Sequence, residues 1–171
     1  MHHYSKDHRG FSLIELLIVV VIIGIIAAIA IPNLIASRRA ANEGSSVSVL
    51  RVLHSAQAAY SNGPGAGEYA GTTGTNDISP LTQLLDAQLI DPSLGGGTKS
   101  GYSYIGSRVP MSAAATTSFH FSANPLIPTG IMQTGSKRFG VATDGVIKAD
   151  LTVALLGTPF TAGTVVNAPQ L

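Results

Sequence analysis

Residues 10–32 read GFSLIELLIVVVIIGIIAAIAIP, and the rest of the chain takes its meaning from this stretch. From Leu16 to Ile31 every residue is apolar or glycine, and back to Phe11 the run reaches 21 residues, broken only by Ser12 and Glu15. At about 1.5 Å per residue a helix of that length covers about 31 Å, the thickness of a bilayer's hydrocarbon core. The stretch predicts a membrane-spanning helix whose partner is the lipid bilayer. Lys6 and Arg9 favour a cytoplasmic N-terminus, but Arg38 and Arg39 stand on the other flank, so basic residues alone do not orient the span. Glu15 is the odd residue. An ionised carboxylate at mid-span costs about 3 kcal/mol; near the helix start it costs less, because the helix dipole favours negative charge there.

Composition agrees with a span joined to a soluble part. Only 11% of the 171 residues are charged, against about 25% in an ordinary soluble protein. Net charge is +1, and that charge belongs to the segment before Phe11 (Lys6, Arg9, Asp7), leaving the remainder neutral. Such a balance gives no electrostatic case for nucleic acid as a partner. Cysteine is absent, which excludes disulfides, thiolate–zinc sites and cysteine nucleophiles.

Beyond Pro32 the helical spacing continues through Val47, Leu50, Leu53, Ala56 (or Gln57) and Tyr60, an apolar stripe that needs a cover. Residues 61–77 are rich in glycine and predict irregular loop. Ser79–Pro80 reads as an N-cap followed by proline at the first helical position, opening a short helix with Leu81, Leu84, Leu85 and Leu89 that ends before Asp91–Pro92. Tyr102/Tyr104 and Phe119/Phe121 alternate with smaller residues and predict strands. Phe139–Ala142, Thr143–Asp144–Gly145 and Val146–Ala149 predict a hairpin, because glycine accepts the positive φ of its turn. The last twenty residues fit a strand or a packed tail equally.

The run Arg9–Gly10–Phe11–Ser12–Leu13–Ile14–Glu15–Leu16–Leu17 resembles the prepilin signal of type IV pilins and type II secretion pseudopilins, and the likeness extends through Pro32 and more loosely to Tyr60. The resemblance implies that a prepilin peptidase cuts between Gly10 and Phe11 and that the new Phe11 terminus is N-methylated. It assigns to Glu15 the pairing with a neighbouring subunit's terminal amine, and to inner-membrane assembly machinery the extraction of subunits into a helical homopolymer. A carboxylate in lipid gains most from a positive partner, which agrees with that role. Gly24 and Pro32 fall at the family's helix-weakening positions, which fits either an ordinary gentle kink or a partial unwinding of the residues between them in the fibre. The implied location is the bacterial inner membrane before assembly, then an extracellular pilus or a periplasmic pseudopilus. Many type IV pilins close a C-terminal loop with a disulfide; this chain departs from that pattern.

Competing readings of the start are a secretory signal cut after Ala28–Ile29–Ala30, against which stand the length of the run and Glu15, and an uncut anchor, which makes Gly10–Phe11 a coincidence. Gly97–Thr98–Lys99–Ser100 lacks the spacing of a phosphate loop and reads as flexible loop. His2, His3 and His8 lie in the discarded leader. His54 and His120 stand apart from any ligand motif, the first on a helix face and the second on a strand. Asp144 and Asp150 flank the hairpin, and related pseudopilins bind calcium near their C-terminal loops. Two carboxylates are too few oxygen ligands for a site, so no metal and no cofactor is expected.

The expected fold is α+β: a long N-terminal helix, transmembrane in its first half, packed on a small antiparallel sheet, with Tyr104, Phe119, Phe121 and Phe139 in the core. Its parts are a leader (1–10), an assembly helix (11–32), an amphipathic continuation (33–60) and a globular part (61–171). The expected function is structural, not enzymatic: a filament subunit. The alternatives are a major pseudopilin of a secretion system and a minor tip subunit that binds a ligand such as DNA. The last needs an exposed basic or aromatic patch, and Lys137–Arg138 is the only adjacent basic pair in the globular part.

Overall fold

A computed structural model describes residues 10–113 and 116–171. The leader histidines His2, His3 and His8, with Lys6, Asp7 and Arg9, lie outside the described residues. The chain divides into two units, residues 1–36 and 37–171.

Helix α1 runs from Leu13 to Asn62. Its portion in the first unit is apolar on every side, and the 18-residue window of highest hydropathy has none of its surface covered. Gly24 and Pro32 both lie inside helix. Proline lacks the N–H that would bond four residues back; one residue on, the Asn33 side-chain amide donates to the Ile29 carbonyl at 3.1 Å.

In the second unit α1 becomes one-sided. Ser46, Val49, Leu50, Leu53, Ala56 and Gln57 are buried, a spacing of three and four that keeps them on one face. That face meets a five-stranded antiparallel sheet: β1 (Thr98–Lys99), β2 (Tyr102–Val109), β3 (Ser118–Pro125), β4 (Arg138–Ala142) and β5 (Ile147–Asp150), in spatial order β1-β2-β3-β4-β5. Leu50 and Leu53 share one core with Tyr102, Tyr104, Phe119, Phe121 and Phe139. The expected core aromatics are all there. Tyr69 and Phe121 each meet the Phe119 ring nearly edge-on, at 4.6 and 5.9 Å between centroids, an arrangement the ring quadrupoles favour. The β4–β5 hairpin forms at the expected place, with Phe139 opposite Ala149 and Gly145 at φ 72°.

Three local expectations are corrected. Helix α2 spans Ser79–Asp86, so its N-cap is Ile78 and it stops short of Leu89. The Ser79 hydroxyl does not cap, because it accepts from Thr72 N at 2.9 Å; the Asp77 carboxylate instead accepts from Ser79 N at 2.8 Å. A further short helix, α3 (Pro92–Gly95), follows where none was expected, capped by Asp91 accepting from Leu94 N at 3.0 Å. Thr98–Lys99 is strand, not flexible loop, since Thr98 pairs with Ser103 and Lys99 bonds Asp91 at 2.8 Å. Lys99, then Ser93, hold the Asp91 carboxyl down at about 2.

The final residues form a 3₁₀ turn (Val153–Leu155) and α4 (Ala162–Asn167), which build a second, smaller cluster of Ala142, Phe160 and Val165. The tail covers the sheet on the side away from α1. Phe160 N donates to Ser122 Oγ at 2.9 Å, Asn76 donates to the Phe160 carbonyl at 3.2 Å, and Lys148 reaches the Val166 carbonyl at 3.4 Å. These contacts explain why β3 is buried on both faces.

Candidate functional site

The sequence-marked end of the molecule is Gly10–Phe11–Ser12–Leu13–Ile14–Glu15. Phe11 is 81% exposed and Leu13 82%. Helix α1 begins at Leu13, so Ser12 occupies the N-cap and Glu15 the third helical position. Ser12 N donates to Glu15 Oε2 at 2.9 Å, the back-reaching half of a capping box. The carboxylate therefore satisfies one of the four amide donors that a helix start leaves unpaired, and sits where the helix dipole favours it. The Ser-x-x-Glu spacing was the available signal for this bond. In the single chain Glu15 is not partnerless.

Gly10 is exposed, and a methyl group built on it would meet nothing within 4 Å. The same holds for Gly24. Neither has a positive φ. The fold asks for glycine at neither position, and within a helix Gly24 costs up to about 1 kcal/mol relative to alanine.

Asp144 and Asp150 occupy separate local roles. Asp144 Oδ1 accepts from Val146 N at 3.0 Å, holding the hairpin turn. Asp150 accepts from Thr152 N at 2.8 Å and from Arg138 at 2.6 Å. Hydrogen bonding from Thr152, then the Arg138 guanidinium, holds the Asp150 carboxyl below its usual range against the cost of desolvation. Among the described residues no three histidine, aspartate or glutamate side chains converge as a metal site would require.

Arg138 is itself 5% exposed. Besides Asp150 it donates to the Thr158 carbonyl at 2.8 Å and lies 4.1 Å from the centre of the Phe160 ring. The Lys137–Arg138 pair is therefore not an exposed basic patch: its arginine fastens the C-terminal tail. His120 is buried, with Nε2 2.6 Å from Asn76 Oδ1. Burial pushes its pKa down, against the Phe160 carbonyl, which raises it. His54 lies on the α1 face, its ring tilted against Phe119 at 5.6 Å.

Gln57 was legible only as a position on the stripe. It is fully buried, and its amide pairs with both backbone groups of Ala70: Nε2 donates to the carbonyl at 2.9 Å and Oε1 accepts from the N–H at 2.8 Å. The side chain thereby acts as a one-residue strand, tying the glycine-rich loop to the helix.

Residues 5–31 match the prokaryotic N-terminal methylation motif. The type IV major pilin protein PilA of Myxococcus xanthus is 46% identical over 57 residues, 33% of this chain and 26% of that protein. The type IV major fimbrial protein FimA of Dichelobacter nodosus is 44% identical over 106 residues, covering 56% of this chain and 66% of that protein. The type II secretion system core protein G of Escherichia coli is 31% identical over 98 residues, 57% of this chain and 63% of that protein. The chain thus spans less than two thirds of the length of these relatives. No solved structure matches it. The methylation motif, the relatives and the helix-on-sheet fold together support the chain's place in the type IV pilin and pseudopilin family.

Proposed function

We propose that the chain is the precursor of a structural subunit of a type IV pilus-like filament. It is held in the membrane by residues 11–31 and trimmed between Gly10 and Phe11 by a prepilin peptidase. The Phe11 amine is methylated, and identical subunits polymerise through the same helix with Glu15 meeting a neighbour's terminal amine. The carrying observation is the uncovered, apolar-all-round portion of α1 with one carboxylate at its start. A helix uncovered on every side is stable only in lipid or among other helices. The open surroundings of Gly10 add support, since the fold does not require glycine there. Nothing in this role calls for catalysis.

Intact-mass and N-terminal analysis of the protein from its native cell tests the reading. The expected product starts at a methylated Phe11; any other mature terminus removes the basis for it.

The likeness to core protein G and the absence of cysteine favour a second reading, a major pseudopilin of a secretion system. Deleting the gene separates the two: loss of surface fibres supports the pilus, and loss of secreted enzymes with fibres intact supports the pseudopilus.

A further inference from the structure

The loop between β3 and β4 carries four large apolar side chains in the open: Leu126 is 51% exposed, Ile127 43%, Ile131 78% and Met132 70%. No charged residue occurs from Pro125 to Ser136. Single exposed leucines are ordinary, but an uncharged cluster of this kind marks a contact surface.

The loop bonds its own backbone. Ile127 N donates to Thr134 Oγ1 at 3.1 Å, Thr134 N to the Ile127 carbonyl at 2.9 Å, and the Gln133 amide to the Pro128 carbonyl at 2.7 Å. Each such internal bond lowers the desolvation cost of bringing irregular backbone to the headgroup layer.

Its place in the globular unit is fixed by α1. Asn42 donates to the Thr134 carbonyl at 2.9 Å, and Glu43 accepts from Ser136 N and Oγ, both at 2.7 Å. The loop therefore lies at the end of the unit where the chain arrives from the apolar run. Arg38 and Arg39 precede Asn42 by one turn, about 6 Å along a helix, and Lys137 closes the far side of the loop. The headgroup layer on each side of a bilayer is about 5–8 Å thick. Basic residues beside apolar ones are the composition that settles at such a layer.

We propose that this loop seats the globular unit of the membrane-stored subunit on the lipid surface, with Ile131 and Met132 entering the interface and Arg38, Arg39 and Lys137 facing anionic headgroups. The inference rests on the membrane-stored precursor proposed above and adds a second lipid contact to it.

The chain has no cysteine, so single substitutions give unique labelling sites. Full-length Met132→Cys, Val20→Cys and Asp144→Cys are each labelled with an environment-sensitive fluorophore. Each is then reconstituted in phosphatidylethanolamine–phosphatidylglycerol vesicles containing spin-labelled lipid as quencher. Position 144 is the distant control, since its turn packs on His54, twelve residues and about 18 Å along α1 from Asn42. The expected result is strong quenching at 20, quenching at 132 several-fold above that at 144, and a drop at 132 in zwitterionic vesicles. Quenching at 20 with 132 no different from 144 overturns the proposal and leaves the membrane span intact. A blue shift at 132 that grows with protein density but not with quencher overturns it in favour of a second copy of the chain. Absence of quenching at 20 refutes the membrane-stored precursor itself, and this contact with it.

Discussion

Replacing Gln57 with leucine tests the bond that ties the glycine-rich loop to α1. Gln57 and Ala70 are both fully buried, so water cannot take over the two contacts the amide makes with Ala70. Leaving a buried donor or acceptor unpaired costs about 1–3 kcal/mol, hence roughly 2–6 kcal/mol for the pair. Leucine recovers part of this through its greater apolar surface, about 1–2 kcal/mol. At mid-range, about 4 kcal/mol less about 1.5, the expected net loss is about 2.5 kcal/mol. With a urea dependence of about 2 kcal/mol per molar, the midpoint should fall by about 1 M. The measurement is urea unfolding of the detergent-solubilised full chain, followed by near-ultraviolet dichroism, because the buried Tyr102 and Tyr104 report on the globular unit while the apolar helix persists in the micelle. Gln57→Glu sharpens the test. At neutral pH its carboxylate still accepts from Ala70 N but repels the Ala70 carbonyl, whereas protonation restores a donor, so acidification should recover part of the stability lost. A Gln57→Leu midpoint matching the parent, with no recovery of Gln57→Glu in acid, would refute the account.

Four further outcomes follow from the same geometry. Gly10→Leu should leave the far-ultraviolet spectrum unchanged, because a Cβ at that position meets nothing within 4 Å and the residue precedes the helix, while uncut precursor accumulates on immunoblots. Glu15→Gln should keep the helix but lower the yield of subunits in sheared filament fractions; full yield would remove the proposed role of the acid. His120, whose folded pKa lies below its ordinary value, binds a proton more readily in the unfolded chain. Its contribution is therefore complete above pH of about 6.5 and lost as pH falls below it; melting temperatures between pH 7.5 and 5 should show that slope, and His120→Gln should flatten it. Asp150→Asn strips the charge partner from a guanidinium whose side chain is 6% exposed. It should cost about 2–3 kcal/mol, less than the roughly 3–5 kcal/mol typical of a broken buried pair, since the Thr158 and Phe160 contacts remain; hydrogen exchange should locate the loosening in residues 151–171.

What the sequence reveals of this fold depends on how local each cause is. The apolar run, the stripe through Leu50 and Leu53, the Tyr102/Tyr104 and Phe119/Phe121 alternations and the Gly145 turn are written within a few residues, and all are found. Ser79 misleads because serine before proline is a capping signal, yet its hydroxyl is taken by Thr72. The tail is illegible for a different reason. Its conformation is set by residues far away, among them Asn76, Ser122 and Arg138. Those residues are polar and read as solvent-facing until the tail covers them. In the candidate site, the Ser12–Glu15 bond was within reach of the capping-box spacing, whereas Gly10 and Phe11 drew their meaning from resemblance, since nothing in their own chemistry names a peptidase.

The two halves of α1 also differ in what can direct assembly. In water the stripe from Val49 to Gln57 gains free energy by being covered, and the sheet covers it within one chain. In lipid the apolar side chains from Leu16 to Ile31 gain little from exchanging acyl chains for another helix, because both surroundings are equally apolar. That run therefore fixes the environment of the helix but not its register against a neighbour. Glu15 has the chemistry to do so. Its Oε2 is occupied by Ser12 N, while Oε1 has no partner among the described residues. A carboxylate that caps its own helix through one oxygen and offers the other to an amine keeps its capping bond on joining a polymer. The capping bond and the proposed intersubunit pair are thus compatible, and a neighbour's terminus gains most where it reaches that second oxygen.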